Sequence, residues 1–248
     1  MMMDRLLAAT ARAERDHFWF HGFRRFVTPL IEQAVEEHSS PVILDCGCGT
    51  GNNLTMLRRY GRAFGIDLTF SGLEYATSRG DRSVAQASAT NLPFSAATFE
   101  IVTSFDVIYA LPDEAEKAAV AEMFRVLRPG GHLVLNVAAL ESLRGNHSVL
   151  GGEVRRYSSK RLRWALERCG FEVRRLTYTN ATILPLVAGT RWIQRLRGHQ
   201  ESASEITVPA APVNAALTAL LTAESLAVRF VNMPLGSSLL CLARKPHG

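Results

Sequence analysis

The stretch VILDCGCGTGNN, Val42 to Asn53, decides the fold. Val42, Ile43 and Leu44 make the short apolar run of a buried strand, and Pro41 separates them from what precedes. Asp45 follows, and then glycines stand at alternate positions, Gly47, Gly49 and Gly51. A glycine-rich turn from a buried strand into a helix is how an open α/β sheet brings bare backbone up to a nucleotide-like ligand. The dinucleotide fingerprint G-x-G-x-x-G fails here, because Gly51 falls one position early. Asp45 would also repel a pyrophosphate, whereas it suits a ligand with an ammonium group.

Working outward, segments of helical and strand period alternate. Residues 5–38 read as one helix, and a second runs from about Asn53 to Arg59. Ala63–Ile66 is a strand ending at Asp67, Leu73–Ser78 a helix, and Ser83–Gln86 a brief strand. Phe99–Ser104 is the next strand, followed by a helix over Asp113–Leu127. Arg128–Gly131 reads as a turn before a strand at His132–Val137. Ser158–Cys169 is a helix with a serine cap and Gly170 at its end. Phe171–Tyr178 and Ser237–Ala243 are the last two strands. Between them, helices are expected at Pro185–Leu196 and Val213–Phe230, with an exposed linker at Ser202–Pro212. The expectation is a doubly wound, seven-stranded, mostly parallel α/β sheet with helices on both faces. One domain is expected, divided into a helical lid (1–38), a core (41–180 with 236–246) and a helical insertion (181–235) that caps the site or meets a partner.

A chain of 248 residues can bury a large core of this kind. Its net charge of +5 is modest and does not by itself imply nucleic acid, and the dominance of arginine, with lysine only at Lys117, Lys160 and Lys245, can reflect genome composition, so nucleic acid is not an expected partner. Cys46, Cys48, Cys169 and Cys241 are scattered as small core thiols, and no metal site is expected. No secretion signal is read in the N-terminal segment, and no window reaches the ~18 consecutive apolar residues of a membrane span. Cytoplasmic residence without a membrane partner is therefore the expectation. The helix over Ala215–Val231 is apolar around most of its circumference, which predicts that it is buried, under a lid or in a homodimer.

Asp67 closes the second strand sixteen residues after Gly51, where a carboxylate can accept from both hydroxyls of a ribose. With that acid in place the chain resembles the class I S-adenosylmethionine-dependent methyltransferases of small-molecule type. The resemblance rests on VILDCGCGTG, AFGIDLT, ASATNLPF, FEIVTSFDVIYALPDE and MFRVLRPGGHLVLNV. It extends to HFWFHGFRRF at the N-terminus and to EVRRYSSKRLRWALERCGFEV and MPLGSSLLCLARKP downstream. It implies a Rossmann-like sheet and S-adenosyl-L-methionine as cofactor, with S-adenosyl-L-homocysteine as product. Gly47, Gly49, Thr50 and Gly51 would pass beneath the methionine part and ribose, with Asp45 facing the amino group. Asp67 would hold the ribose, Leu68 would pack on adenine, and Ser88, Ala89 and Thr90 would lie at the adenine edge. Ser104 and Phe105 would line the methionine side, and Arg24 in the aromatic N-terminal helix would approach its carboxylate. The family usually has an aspartate where this chain has Ser88, and many relatives a histidine where it has Ala110.

A sulfonium is already an excellent leaving group, so alignment and water exclusion matter most, and a base only where the nucleophile must lose a proton. His147 and His21 are the candidate bases. Arg155, Arg156 and Tyr157 are candidates for holding an acidic group of the substrate, the alternative being an internal brace. The expected reaction is methyl transfer to oxygen or nitrogen of a small-molecule acceptor. Transfer to a peptide or protein carboxylate or amine is one rival, and a cofactor-binding scaffold without turnover is another. A nucleic-acid methyltransferase is disfavoured, because SFDV stands after the fourth strand in place of an N/D-P-P-Y/F motif.

Overall fold

The computed structural model describes residues 2–144, 152–189 and 207–247. Its strands are β1 (Val42–Cys46), β2 (Arg62–Asp67), β3 (Val84–Gln86), β4 (Phe99–Phe105), β5 (Leu127–Ala138), β6 (Glu172–Thr179) and β7 (Ser238–Arg244). They join in one sheet of order β3-β2-β1-β4-β5-β7-β6, parallel except for β7, which runs antiparallel to both neighbours. The helices are α1 (Met2–Ala13), α2 (Phe18–Val35), α3 (Asn52–Leu57), α4 (Phe70–Ser78), α5 (Asp113–Val126), α6 (Ser159–Glu167) and α7 (Ala211–Val228).

The two-residue period of the strands sorts their side chains between two cores. Leu44, Val102, Leu133, Leu135, Leu239 and Cys241 pack on one face with Val120 and Met123 of α5 and Leu162 and Leu166 of α6. Ile43, Ile101, Val134, Leu240 and Leu242 pack on the other, against Leu30 and Ile31 of α2, Leu54 and Leu57 of α3, and Leu221 and Val228 of α7. Between β1 and β4 the strand order reverses, and their carboxyl ends open the crevice where such sheets bind ligands.

Three expectations are corrected. The long N-terminal helix is two, because His17 leaves helical geometry and its Nδ1 accepts from Trp19 N at 3.1 Å, capping α2. The Arg-Pro-Gly-Gly segment is not a free turn. It forms a bulge within β5, with Leu127 paired to Phe99 and His132 to Ile101, while Gly130 N donates to the Lys245 carbonyl. Third, α7 is not buried all round. Leu221, Glu224, Ser225 and Val228 are covered, but Leu220 and Leu226 face outward. In the insertion, residues 184–189 are helical, and the rest of the helix expected to Leu196 lies outside the described residues.

Candidate cofactor and active site

β1 delivers Asp45 to the crevice, and the chain then turns through Gly47, Gly49 and Gly51, all with positive φ. Gly47 has a second reason to lack a side chain, since a Cβ there would run into Val107 Cγ2. Gly47 N and Cys48 N both donate to the Ile66 carbonyl, which ties the loop to β2. Asp45 is buried. Its Oδ1 accepts from Thr103 Oγ1 at 2.7 Å, and its Oδ2 has no partner. Burial pushes this carboxyl up to about 7, against the lowering hydrogen bond from Thr103 and with a further rise from Asp67. Ser104 Oγ at the end of β4 is a second buried, unpartnered polar atom.

Asp67 spans the loop from the β2 side. Its Oδ2 accepts from Gly49 N and its Oδ1 from Thr69 N, both at 2.8 Å, so the carboxylate is oriented while each oxygen keeps an accepting lone pair. Leu68 beside it is 70% exposed, an apolar surface at the crevice that no core residue covers. Ser88 Oγ and Thr90 Oγ1 lie 2.7 Å apart, and Thr90 N donates to Ser88 Oγ, so this edge is held by its own hydroxyls. Phe105 meets Phe23 of α2 edge to face at 5.1 Å, which brings the aromatic helix over the end of β4. A cradle with an orphaned carboxylate oxygen, an oriented second carboxylate and an open leucine fits an amino-acid nucleoside.

Comparison with known proteins bears on the same stretch. A family model described as "Methyltransferase domain" matches residues 44–135. An uncharacterised Methanocaldococcus jannaschii protein is 31% identical over 199 residues, 69% of this chain and 77% of that one. The chain belongs to the class I S-adenosylmethionine-dependent methyltransferases.

A bovine relative named "Probable tRNA methyltransferase 9B" is 31% identical over 144 residues, 54% of this methyltransferase but only 31% of its own length. Among solved structures, a chain from the complex of the Haloferax volcanii Trm112 methyltransferase activator matches with a TM-score of 0.61 at 20% identity, over 97% of this chain and 95% of that one. That likeness concerns the fold.

Asp45, the glycine loop with Thr50, Asp67, Leu68, Ser88–Thr90, Ser104 and Phe105 all stand at or just past the carboxyl ends of β1, β2, β3 and β4. Other expected residues lie elsewhere. Arg24 donates to the Glu14 carbonyl at 3.3 Å and lines a separate cavity, together with His21. Arg155 pairs with Asp113 and Glu116 at 2.9 Å each, and Arg156 pairs with Glu153 at 2.5 Å. Tyr157 is buried, with the Arg161 guanidinium 5.7 Å from its ring centre. The substrate role expected of this trio is corrected to the internal brace, because the arginine forks are engaged by acids of the fold. His147 lies outside the described residues. No candidate metal cluster is present among the described residues.

Two residues escaped the sequence reading. Glu14, between α1 and α2, is buried, accepting from Thr50 Oγ1 of the glycine loop at 2.7 Å and pairing with Arg79 at 2.6 Å. Asp106 follows β4 with φ 61 and accepts from Asn136 Nδ2 at 2.9 Å. A non-glycine residue held left-handed at the end of a switch-point strand marks a functional candidate. Its position after SF in SFDV was the available signal.

Proposed function

We propose that the protein moves a methyl group from S-adenosyl-L-methionine to an oxygen or nitrogen atom of a small-molecule acceptor, as a cytoplasmic biosynthetic or tailoring step. The observation that carries this reading is the unpartnered Asp45 oxygen under the left-handed glycine loop, at the point where the strand order reverses. The cofactor, when bound, would supply a methyl group already activated by a sulfonium.

The chain's own residues then position and shelter. Asp45 would hold the ammonium group by a charge-assisted hydrogen bond, and Asp67 the ribose hydroxyls. Leu68 would lie on the adenine, with Ser88 and Thr90 at its edge in place of the family's aspartate. Phe23 against Phe105 closes the methionine side to water. Asp106, steadied by Asn136, is the carboxylate placed to take a proton from an acceptor whose nucleophile must lose one.

Calorimetric titration with S-adenosylmethionine tests the cofactor reading. Wild-type protein should bind, and Asp67→Ala should weaken binding by roughly tenfold to a hundredfold, the worth of a charged hydrogen-bonding partner. Folded wild-type protein that fails to bind would sink the proposal. Labelled methyl transfer should then be screened across small alcohols and amines, peptides and tRNA. Because relatives are named for tRNA, label found in tRNA alone would replace the small-molecule acceptor.

A further inference from the structure

Seven arginines converge on one cavity of about 940 Å³ lined from α1, α2, α3, α4 and α7, with none of Asp45, Gly47, Gly49, Gly51 or Asp67 in its lining. Arg12 and Arg15 come from α1 and the turn after it, and Arg24 and Arg25 from α2. Arg59 and Arg79 come from the residues just past α3 and α4, and Arg229 from the end of α7. Glu14 and Asp16 supply the negative charge of the lining, and Glu14 is already held by Arg79 and Thr50. Among the described residues no hydrogen bond or ion pair engages the guanidinium of Arg12, Arg15 or Arg59. The His21 imidazole in the same lining is pushed below its ordinary range by burial and then by Arg24 and Arg25. Guanidinium groups gathered from five elements suit phosphate, which they bind in bidentate fashion.

The rim decides what carries the phosphate. Leu226 lines the cavity and is 56% exposed, and Phe230, one turn further, is 87% exposed. Val213, Leu220, Val231 and Leu235 continue this open apolar surface along and beyond α7. By length and composition α7 could cross a membrane, with a mean hydropathy of 1.3. Its other side is nevertheless fastened to the domain. Asn214 accepts from Phe18 N and donates to the Asp16 carbonyl, and buried Glu224 accepts from Ala181 N, Thr182 N and Thr182 Oγ1. The helix therefore lies along the surface with its apolar side outward, beside the arginines. With Phe230 its one aromatic ring, this row offers little stacking to the bases of a nucleic acid, whereas its aliphatic majority matches a hydrocarbon chain.

We infer that this face binds a phosphate-bearing amphiphile, with the headgroup in the arginine cavity and the hydrocarbon chain along the exposed side of α7. The test is co-sedimentation of the full chain with phosphatidylcholine vesicles, with and without phosphatidic acid. Binding is expected only to the anionic vesicles. The double variant Arg15→Ala/Arg59→Ala should bind on the order of twentyfold more weakly, at roughly fivefold per arginine near an anionic surface. Phe230→Ser should weaken binding about tenfold, from loss of one buried aromatic ring. Unchanged S-adenosylmethionine affinity in these variants would show that they fold and that the crevice is a separate site. A soluble short-chain phosphatidic acid that binds equally well supports a free amphiphile, and binding to vesicles alone supports a bilayer lipid. Absence of a preference for phosphatidic acid overturns the inference. So does an arginine-dependent affinity that Phe230→Ser leaves intact, whether for vesicles or for an RNA oligonucleotide. A dimer in light scattering that Phe230→Ser dissociates, without vesicle binding, would assign the surface to a second copy of the chain.

Discussion

Asp45 is the residue on which the site's pH dependence turns. Burial pushes its carboxyl up to about 7, while a cationic group needs the carboxylate. Cofactor affinity should therefore rise as pH rises through 7, and binding just below that pH should release a proton from Asp45. Calorimetry in two buffers of different ionisation enthalpy reads this release directly. Asp45→Asn should abolish it, and a proton count that stays zero in wild type would refute the assignment. His132 carries a dependence of the same sign for folding. Burial pushes its imidazole down to about 4, beneath the β5 bulge, so the folded state prefers the neutral ring. The unfolded chain takes up the proton first, and stability from this group is lost as pH falls from the ordinary imidazole range towards 4. The urea midpoint should drop across that window, and His132→Asn should flatten the drop. Of these two residues, Asp45 was legible from its place before the glycines. The environment of His132 was not, because β7 and His38 reach it from distant sequence.

At the scale of elements, α7 shows where hydrophobic pattern alone misleads. An apolar circumference predicts burial, yet polar residues determine which side docks. Glu224 accepts three hydrogen bonds from the start of the insertion, and Asn214 makes two to the α1–α2 turn. Glu224→Ala would leave the Ala181 and Thr182 donors without an acceptor, at about 2–4 kcal/mol. Limited proteolysis should then cut near α7 well before the sheet. Uniform resistance across the chain would show that Leu221 and Val228 suffice to hold the helix. A close approach assists the docking, since a Cβ on Gly22 of α2 would lie 2.5 Å from Leu221 Cδ1.

At the scale of the whole molecule, Glu14 couples the N-terminal helices to the glycine loop. It joins the turn between α1 and α2 to Thr50 in the glycine loop and to Arg79 after α4. Glu14→Ala should loosen the N-terminal helices, with faster amide exchange over residues 2–17 and about a tenfold faster release of S-adenosylmethionine, the effect of losing a hydrogen bond to a charged group. Stopped-flow displacement measures the release. An unchanged rate would leave the Phe23–Phe105 contact as what holds these helices over the sheet. The overall charge of +5 is uninformative as a sum. It acquires meaning only when the fold gathers seven arginines around one cavity.

The sequence by itself determined what depends on neighbours along the chain. The strand periods, the serine cap of α6, the failure of the dinucleotide fingerprint and the pairing of Asp45 with Asp67 at two strand ends are local, and local backbone chemistry reads them. The tertiary structure alone decided what depends on which surfaces meet. The orphaned Asp45 oxygen, the brace around Arg155 and Arg156, the hold of Glu14 on Thr50 and the arginine cavity beside an open α7 each join segments far apart in sequence. Burial and charge partnership are properties of three-dimensional neighbours, and no period along the chain encodes them.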